Sequence, residues 1–240
     1  MPDARDIDYT DGDTALRGLL LPAAVTDAGA VLLVHDAFGL GGFSLEVAFR
    51  LQAEGHTVFA VDMWGDRRTP APDEISGLIG AMVGDRAAWT RRISAGYAAA
   101  LAQPEIDGSR LAALGYCFGG ATVLELARSG AALRAAVTVH AGLDLLDPTA
   151  PWAPPATGRV LVCAGAEDPM STPTQWRALR ENLDRAGIDW ELDLYGGAVH
   201  AFTNPALADS PRPETAAYHP KAARRSWAST LDLLGEVLGA

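Results

Sequence analysis

The stretch Leu111-Ala112-Ala113-Leu114-Gly115-Tyr116-Cys117-Phe118-Gly119-Gly120 decides how this chain folds. Its first four residues are all apolar. They read as a strand buried on both faces, because a half-exposed strand would alternate apolar with polar. A helical pattern runs from Phe118 to about Arg128. Between strand and helix stands a cysteine flanked by Gly115, Gly119 and Gly120. Glycines at these offsets allow a sharp turn and a close approach of strand to helix. Cys117 then sits at a helix N-terminus, where free N–H groups and the helix dipole favour a thiolate. The N–H of Phe118 points to where a developing oxyanion would lie. The competing reading is a glycine-rich turn around a merely buried cysteine, since free cysteine is commonly buried.

The pattern repeats outward from this turn. Val31-Leu32-Leu33-Val34 is a buried strand, residues 43–54 a helix with Gly55 as its C-terminal cap, and Thr57-Val58-Phe59-Ala60-Val61 a further strand. An Ala- and Arg-rich helical stretch covers about 85–102. Downstream come strands at 135–139 and 160–164, a helix at about 172–186, a strand at 190–194 and a closing helix from about Thr215 to Leu238. Continuous apolar strands separated by helices predict the α/β class, with a mainly parallel sheet covered by helices on both faces. A length of 240 residues suits one large α/β domain or two small ones. No internal repeat is present, and the proline-rich piece from Pro148 to Pro155 lies between two strand signals. It reads as a surface excursion rather than a linker, so residues 1–240 are expected to form a single domain. A second proline-rich stretch, Asn204 to Pro213, follows a histidine and is placed to form part of a pocket rim.

Composition bounds the partners. With 49% hydrophobic and 20% charged residues, the chain has the makings of a substantial core rather than of disorder. A net charge of -11 argues against a nucleic-acid partner, which needs a basic surface, and weakly against an anionic membrane. Residues 1–6 carry neither a basic nor an apolar leader segment, and no apolar run approaches the roughly 20 residues of a membrane span. A cytoplasmic enzyme acting on a small molecule is the expectation, with its oligomeric state open. The two cysteines make neither a disulfide framework nor a zinc-ligand spacing, and neither a metal nor a cofactor is expected. Cys163, inside Val160-Leu161-Val162-Cys163-Ala164, reads as a small core residue.

The form Gly-x-Cys-x-Gly resembles the nucleophile elbow of α/β-hydrolases, usually Gly-x-Ser-x-Gly, with cysteine in place of serine. In those enzymes the acid and then the histidine follow the nucleophile along the chain. After Cys117 the strand ending at Ala164 runs into Gly165-Ala166-Glu167-Asp168-Pro169. An acid just beyond a strand end suits the role; Asp168 is the choice and Glu167 the competitor. A turn aspartate before proline is the bland alternative. The next strand leads into Tyr195-Gly196-Gly197-Ala198-Val199-His200-Ala201-Phe202, which places His200 as the base oriented by Asp168. His140, at another strand end, precedes the acid and reads as a pocket or structural hydrogen-bonding residue. His35, His56 and His219 have no comparable context.

Taken together, these motifs make the chain resemble the dienelactone hydrolase family of α/β-hydrolases, from about Thr14 to Leu238. The resemblance rests on His35-Asp36-Ala37-Phe38-Gly39-Leu40, Ala60-Val61-Asp62-Met63-Trp64-Gly65, the Cys117 turn, the Gly165 to Asp168 turn, and Gly197-Ala198-Val199-His200-Ala201-Phe202. It implies a Cys117-His200-Asp168 triad, an oxyanion hole from the N–H groups of Ala37 and Phe118, and cofactor-free hydrolysis of an ester or lactone through a thioester. Two positions depart from the family pattern. Where its type enzymes carry a glutamate that interacts with the cysteine, this chain has Asp36, one methylene shorter. Where they carry a carboxylate-binding arginine four residues after the histidine, this chain has Asn204, which cannot supply the charge. Dienelactone itself is therefore not the expected substrate. Met63, Trp64, Tyr116, His140, Trp152, Phe202 and Asn204 are the expected pocket residues, with ordinary core packing the alternative for each aromatic. Two further functions stand beside hydrolysis: cyclisation, acyl transfer or C–C bond chemistry on the same scaffold, and non-catalytic small-molecule binding.

Overall fold

A computed structural model describes residues 4–25, 28–154 and 157–239. Residues 1–3 of the N-terminal reading and Pro155, the end of the first proline-rich piece, lie outside them.

The all-apolar runs become the centre of the sheet. Strands β3 (Ala30–Val34), β4 (Thr57–Val61), β5 (Leu111–Tyr116) and β6 (Ala135–Val139) are buried at every position. With β7 (Arg159–Gly165) and β8 (Asp189–Tyr195) they form six parallel strands. An antiparallel hairpin, β1 (Arg5–Asp11) and β2 (Thr14–Leu21), completes eight strands in the order β1-β2-β4-β3-β5-β6-β7-β8. Helices α1 (Gly42–Ala53) and α6 (Pro220–Leu238) bury Val47, Leu51 and Leu234 against one face. On the other face α3 (Arg86–Leu101), α4 (Phe118–Arg128) and α5 (Pro173–Ala186) bury Trp89, Val123 and Leu183. The fold is thus the expected single-domain α/β architecture. Among the described residues no helix is long and apolar enough to cross a membrane.

Several elements differ from the expectation, each for a physical reason. Strand β1 escapes a search for apolar runs because it reads Arg-Asp-Ile-Asp-Tyr-Thr-Asp, an edge strand with one mostly exposed face and few apolar residues. Helix α2 (Ile75–Gly84) gives no clear signal because it holds Gly77 and Gly80 and buries no residue fully. The closing helix starts at Pro220, not Thr215. Proline suits the first helical position, and the His219 ring accepts from the N–H of Ala222 there. The preceding residues serve another purpose: Thr215 O accepts from His200 N, and Ala217 N donates to His200 O. At the end of α1 the cap is Glu54; Gly55 follows with φ +97°, the left-handed position that glycine takes without a Cβ penalty.

Candidate active site

Cys117 has φ 55° and ψ -118°, a conformation that costs a non-glycine residue about 1–3 kcal/mol. The surroundings hold it there. Its N–H donates to Val139 O at 3.1 Å, and its carbonyl accepts from Ala121 N at 3.2 Å in the first turn of α4. The glycines around it are required by space. A Cβ on Gly115 would lie 2.1 Å from Gly119 O, and one on Gly119 would lie 2.3 Å from Val34 O and 2.4 Å from His35 O. The turn therefore closes against the ends of both β5 and β3. The thiol is left partly exposed, while Cys163 is fully buried and its thiol is pushed up to about 12 by that burial.

The loops after β7 and β8 bring the acid and the histidine to this thiol. Asp168 sits in a tight turn: its N–H donates to Gly165 O at 3.3 Å, and its Oδ1 accepts from Met170 N at 2.8 Å. Its Oδ2 lies 2.9 Å from His200 Nδ1, and His200 Nε2 lies 3.0 Å from Cys117 Sγ. A carboxylate only accepts, so Nδ1 carries a proton and Nε2 addresses the sulfur. Glu167 instead accepts from Gly197 N, so of the two acids it is Asp168 that reaches the ring. His200 and Asp168 are 4% and 3% exposed. Burial opposes a charge on His200, but the Cys117 sulfur and the Asp168 carboxylate outweigh it and raise the imidazole to about 10.

The two backbone donors expected from the sequence, the N–H groups of Ala37 and Phe118, lie in the segments that follow β3 and β5. Among the described residues no group accepts from the N–H of Ala37 or of Phe118. Phe118 N belongs to the first turn of α4, whose N–H groups have no intrahelical partner. Ala37 follows β3, and its position is fixed by residues with no distinctive sequence context. The buried His35 ring donates from Nδ1 to Asp36 O at 2.6 Å and accepts at Nε2 from Met63 N at 3.1 Å. The Trp64 indole donates to Ala37 O at 3.1 Å. Asp62 in turn accepts from four backbone N–H groups, those of Arg17, Trp64, Gly65 and Arg67, at 2.8 to 3.0 Å. His35 and Asp62 are legible only as parts of larger motifs. Nothing in their local sequence shows that they brace one loop against the other.

Asp36 is 8% exposed and does not hydrogen-bond the thiol; its Oδ1 accepts from Phe38 N at 2.9 Å. Burial raises its carboxyl to about 6, against the Phe38 hydrogen bond and the positive charge of His200. Another acid, Asp144, is raised by burial and feels both His200 and Asp168; its N–H donates to Met170 O. It follows β6 and carries no motif in the sequence.

The expected pocket residues divide. Met63 and Phe202 are fully buried, and Trp64 stacks on Phe118 at 4.6 Å. Tyr116, His140 and Phe202 form an aromatic layer behind His200: His140 meets His200 edge-on at 5.4 Å and Phe202 at 5.2 Å. His140 Nε2 lies 2.8 Å from Thr203 Oγ1, and burial drives its ring well below the ordinary histidine range. Trp152 lines a cavity of about 270 Å³ with Leu143, Asp144 and Leu179. Asn204 Oδ1 accepts from Ala206 N, capping the short turn Pro205–Leu207. Among the described residues no group of three His, Cys, Asp or Glu side chains is placed to hold a metal ion.

Comparison with known proteins places this geometry. The model of the dienelactone hydrolase family matches residues 17–238. A dienelactone hydrolase-like promiscuous phosphotriesterase from metagenomic libraries is 39% identical, with a TM-score of 0.90 and 99% of both chains covered. The structure named m3DLH is 40% identical, with a TM-score of 0.88 over 98% of both chains. A Bradyrhizobium protein, named a probable 2-oxo-3-(5-oxofuran-2-ylidene)propanoate lactonase, is 25% identical over 233 residues, which is 92% of this chain and 89% of that one.

Proposed function

Because the chain belongs to the dienelactone hydrolase family, we propose that it hydrolyses carboxylic esters or lactones by covalent catalysis at Cys117. One observation carries the reading. A single buried imidazole bridges a partly exposed thiol at 3.0 Å and a buried carboxylate at 2.9 Å, in a strained turn where the next N–H, that of Phe118, has no acceptor among the described residues.

In the proposed cycle the Cys117 thiolate attacks the substrate carbonyl, a C–S bond forms, and the carbonyl electron pair moves onto oxygen. The N–H groups of Ala37 and Phe118 stabilise that oxyanion. Collapse breaks the C–O bond, and the His200 imidazolium gives its proton to the leaving alkoxide. Neutral His200 then takes a proton from water as that water attacks the thioester. Collapse of the second oxyanion expels the thiolate and leaves a carboxylic acid. Asp168 holds the ring in the productive tautomer throughout. Asp36 acts at a distance: when ionised, its charge favours the imidazolium. With Asn204 capping a turn instead of an arginine in that place, a substrate carboxylate lacks its bidentate partner there.

A second reading, attack on a phosphotriester, is favoured by the 39% identical metagenomic relative, whose printed name carries that activity. Incubation of the purified protein with aryl esters, lactones and a phosphotriester, with product identification, separates the two. Carboxylic acid release that is lost in Cys117→Ala supports the main reading. Turnover of the phosphotriester alone, or full ester turnover by Cys117→Ala, contradicts it.

A further inference from the structure

On the α1/α6 face of the sheet, apart from the thiol, lies a cavity of about 260 Å³. Its walls are aromatic: Phe43, Tyr116, Tyr218 and Trp227. Two cations line it, Arg50 and Arg224, with Glu46 as the one acid. Many arginines of this chain are engaged by carboxylates, such as Arg92 on Asp11 and Arg86 on Glu125. Arg50 and Arg224 are different. Among the described residues the side chain of neither forms an ion pair or donates a hydrogen bond.

Arg50 lies with its guanidinium carbon 3.9 Å over the Trp227 ring, which positions the group while its N–H groups have no protein acceptor among the described residues. Arg50 and Arg224 are both exposed at the cavity mouth. At its floor is Tyr116, 5% exposed, whose ring meets Phe43 edge-on at 5.2 Å. Tyr116 lines the cavity, and its hydroxyl has no protein hydrogen-bond partner among the described residues. Burial pushes this phenol up, and the Arg50 charge pulls it back, so the two groups sense one another across the cavity.

An unpaired phenol, a stacked guanidinium without a protein acceptor and flat apolar walls call for a ligand that is both planar and anionic. We propose that this cavity is a second ligand site, distinct from the catalytic thiol, which binds a small aromatic carboxylate. The ring lies among Phe43, Tyr218 and Trp227; the carboxylate accepts from Arg50 and from the Tyr116 hydroxyl. Two contacts lead from it to the catalytic groups. Tyr116 directly precedes Cys117, and Thr203, also on the cavity wall, holds the His140 ring that packs on His200.

The test uses benzoate as the probe and the full chain with Cys117 alkylated by iodoacetamide, so that the catalytic thiol is blocked. Calorimetric titration should show one benzoate bound per chain. Arg50→Gln should weaken it at least about tenfold, as loss of a charge-assisted pair does, and Arg50→Lys should restore part of the affinity. Benzyl alcohol, with the ring but no charge, and acetate, with the charge but no ring, should each bind at least about tenfold more weakly than benzoate. Arg224→Gln is the second variant, read in the same way if Arg50→Gln fails to give the wild-type melting curve. Absence of benzoate binding to the alkylated protein overturns the proposal. So does wild-type affinity in an Arg50→Gln protein that keeps the wild-type melting curve, or in Arg224→Gln where Arg50→Gln does not fold, or acetate binding as tightly as benzoate, which would mark surface charge alone.

Discussion

Replacing Gly119 by alanine tests whether the cysteine turn is as tightly built as its geometry implies. The added methyl would lie 2.3 Å from Val34 O and 2.4 Å from His35 O. A carbon normally approaches a carbonyl oxygen to about 3.3–3.6 Å, so either the methyl or the carbonyls must retreat by about 1 Å. The carbonyls are poorly placed to do so, because Val34 is paired with Val61 on one side and Gly115 on the other. Overpacking costs about 1–3 kcal/mol, and two immobile backbone obstacles put this case near the upper end. For a chain of this size, about 3 kcal/mol lowers the melting temperature by roughly 6–12 °C. Because Ala37 lies three residues beyond the end of β3, a shift of about 1 Å there should lower kcat/KM toward an aryl ester by about 100-fold. Gly77→Ala is the control. Apart from its chain neighbours and its own helix backbone, no atom of the described residues lies within 4 Å of its added methyl, and it sits inside helix α2, so the change should stabilise by up to about 1 kcal/mol. Thermal melts and ester kinetics on both variants decide the matter. A Gly119→Ala protein that melts with the wild type and keeps its activity refutes the steric reasoning.

Further expected outcomes concern the acids. The Asp36 carboxyl stands at about 6 instead of 3.8, chiefly through burial, so its ionised form opposes folding by about 3 kcal/mol. Its proton uptake favours the fold below about pH 4, and this contribution is lost as the pH rises through about 6. Asp36→Asn should therefore gain stability relative to wild type above pH 6 and not below pH 4; denaturant titrations across that range that show a constant difference would contradict this. Asp62→Ala strips four backbone N–H groups of their acceptor and should cost about 3 kcal/mol or more in urea unfolding, with the loops at Ala37 and Trp64 loosened together. Asp168→Asn keeps the shape but offers the wrong partner to His200 Nδ1, and ester turnover should fall by about 10³–10⁴. Undiminished turnover in that variant would remove Asp168 from the mechanism.

Much of this arrangement is legible in the sequence because each signal is local. Continuous apolar runs specify central parallel strands, and glycines two before and two and three after Cys117 specify a crossing of strand and helix that no larger residue permits. The order Cys117, Asp168, His200 is likewise readable, since each follows a strand end. What escapes depends on contacts distant in sequence. The β1–β2 hairpin is held partly by Arg91 and Arg92 of α3 on Asp11, a pairing no window of β1 contains. His35 and Asp62 brace loops through backbone amides 28 residues away and up to 45 away, so their residue types alone carry no signal. Phe202 and Met63 look like pocket walls in sequence; three-dimensional packing buries both completely. The same holds for the cavity between α1 and α6, whose aromatic and basic residues are spread from Phe43 to Trp227.

The central claim is that Cys117 becomes acylated during turnover. Acid quenching of the protein within the first turnover of an aryl ester, followed by intact mass measurement and peptide mapping, tests it most directly. The expected result is a mass increase equal to the acyl group, on the peptide carrying Cys117, that decays as the acid product appears and is absent from Cys117→Ala. Product formation by the wild type with no acylated Cys117 at any quench time, and with Cys117→Ala equally active, would contradict it.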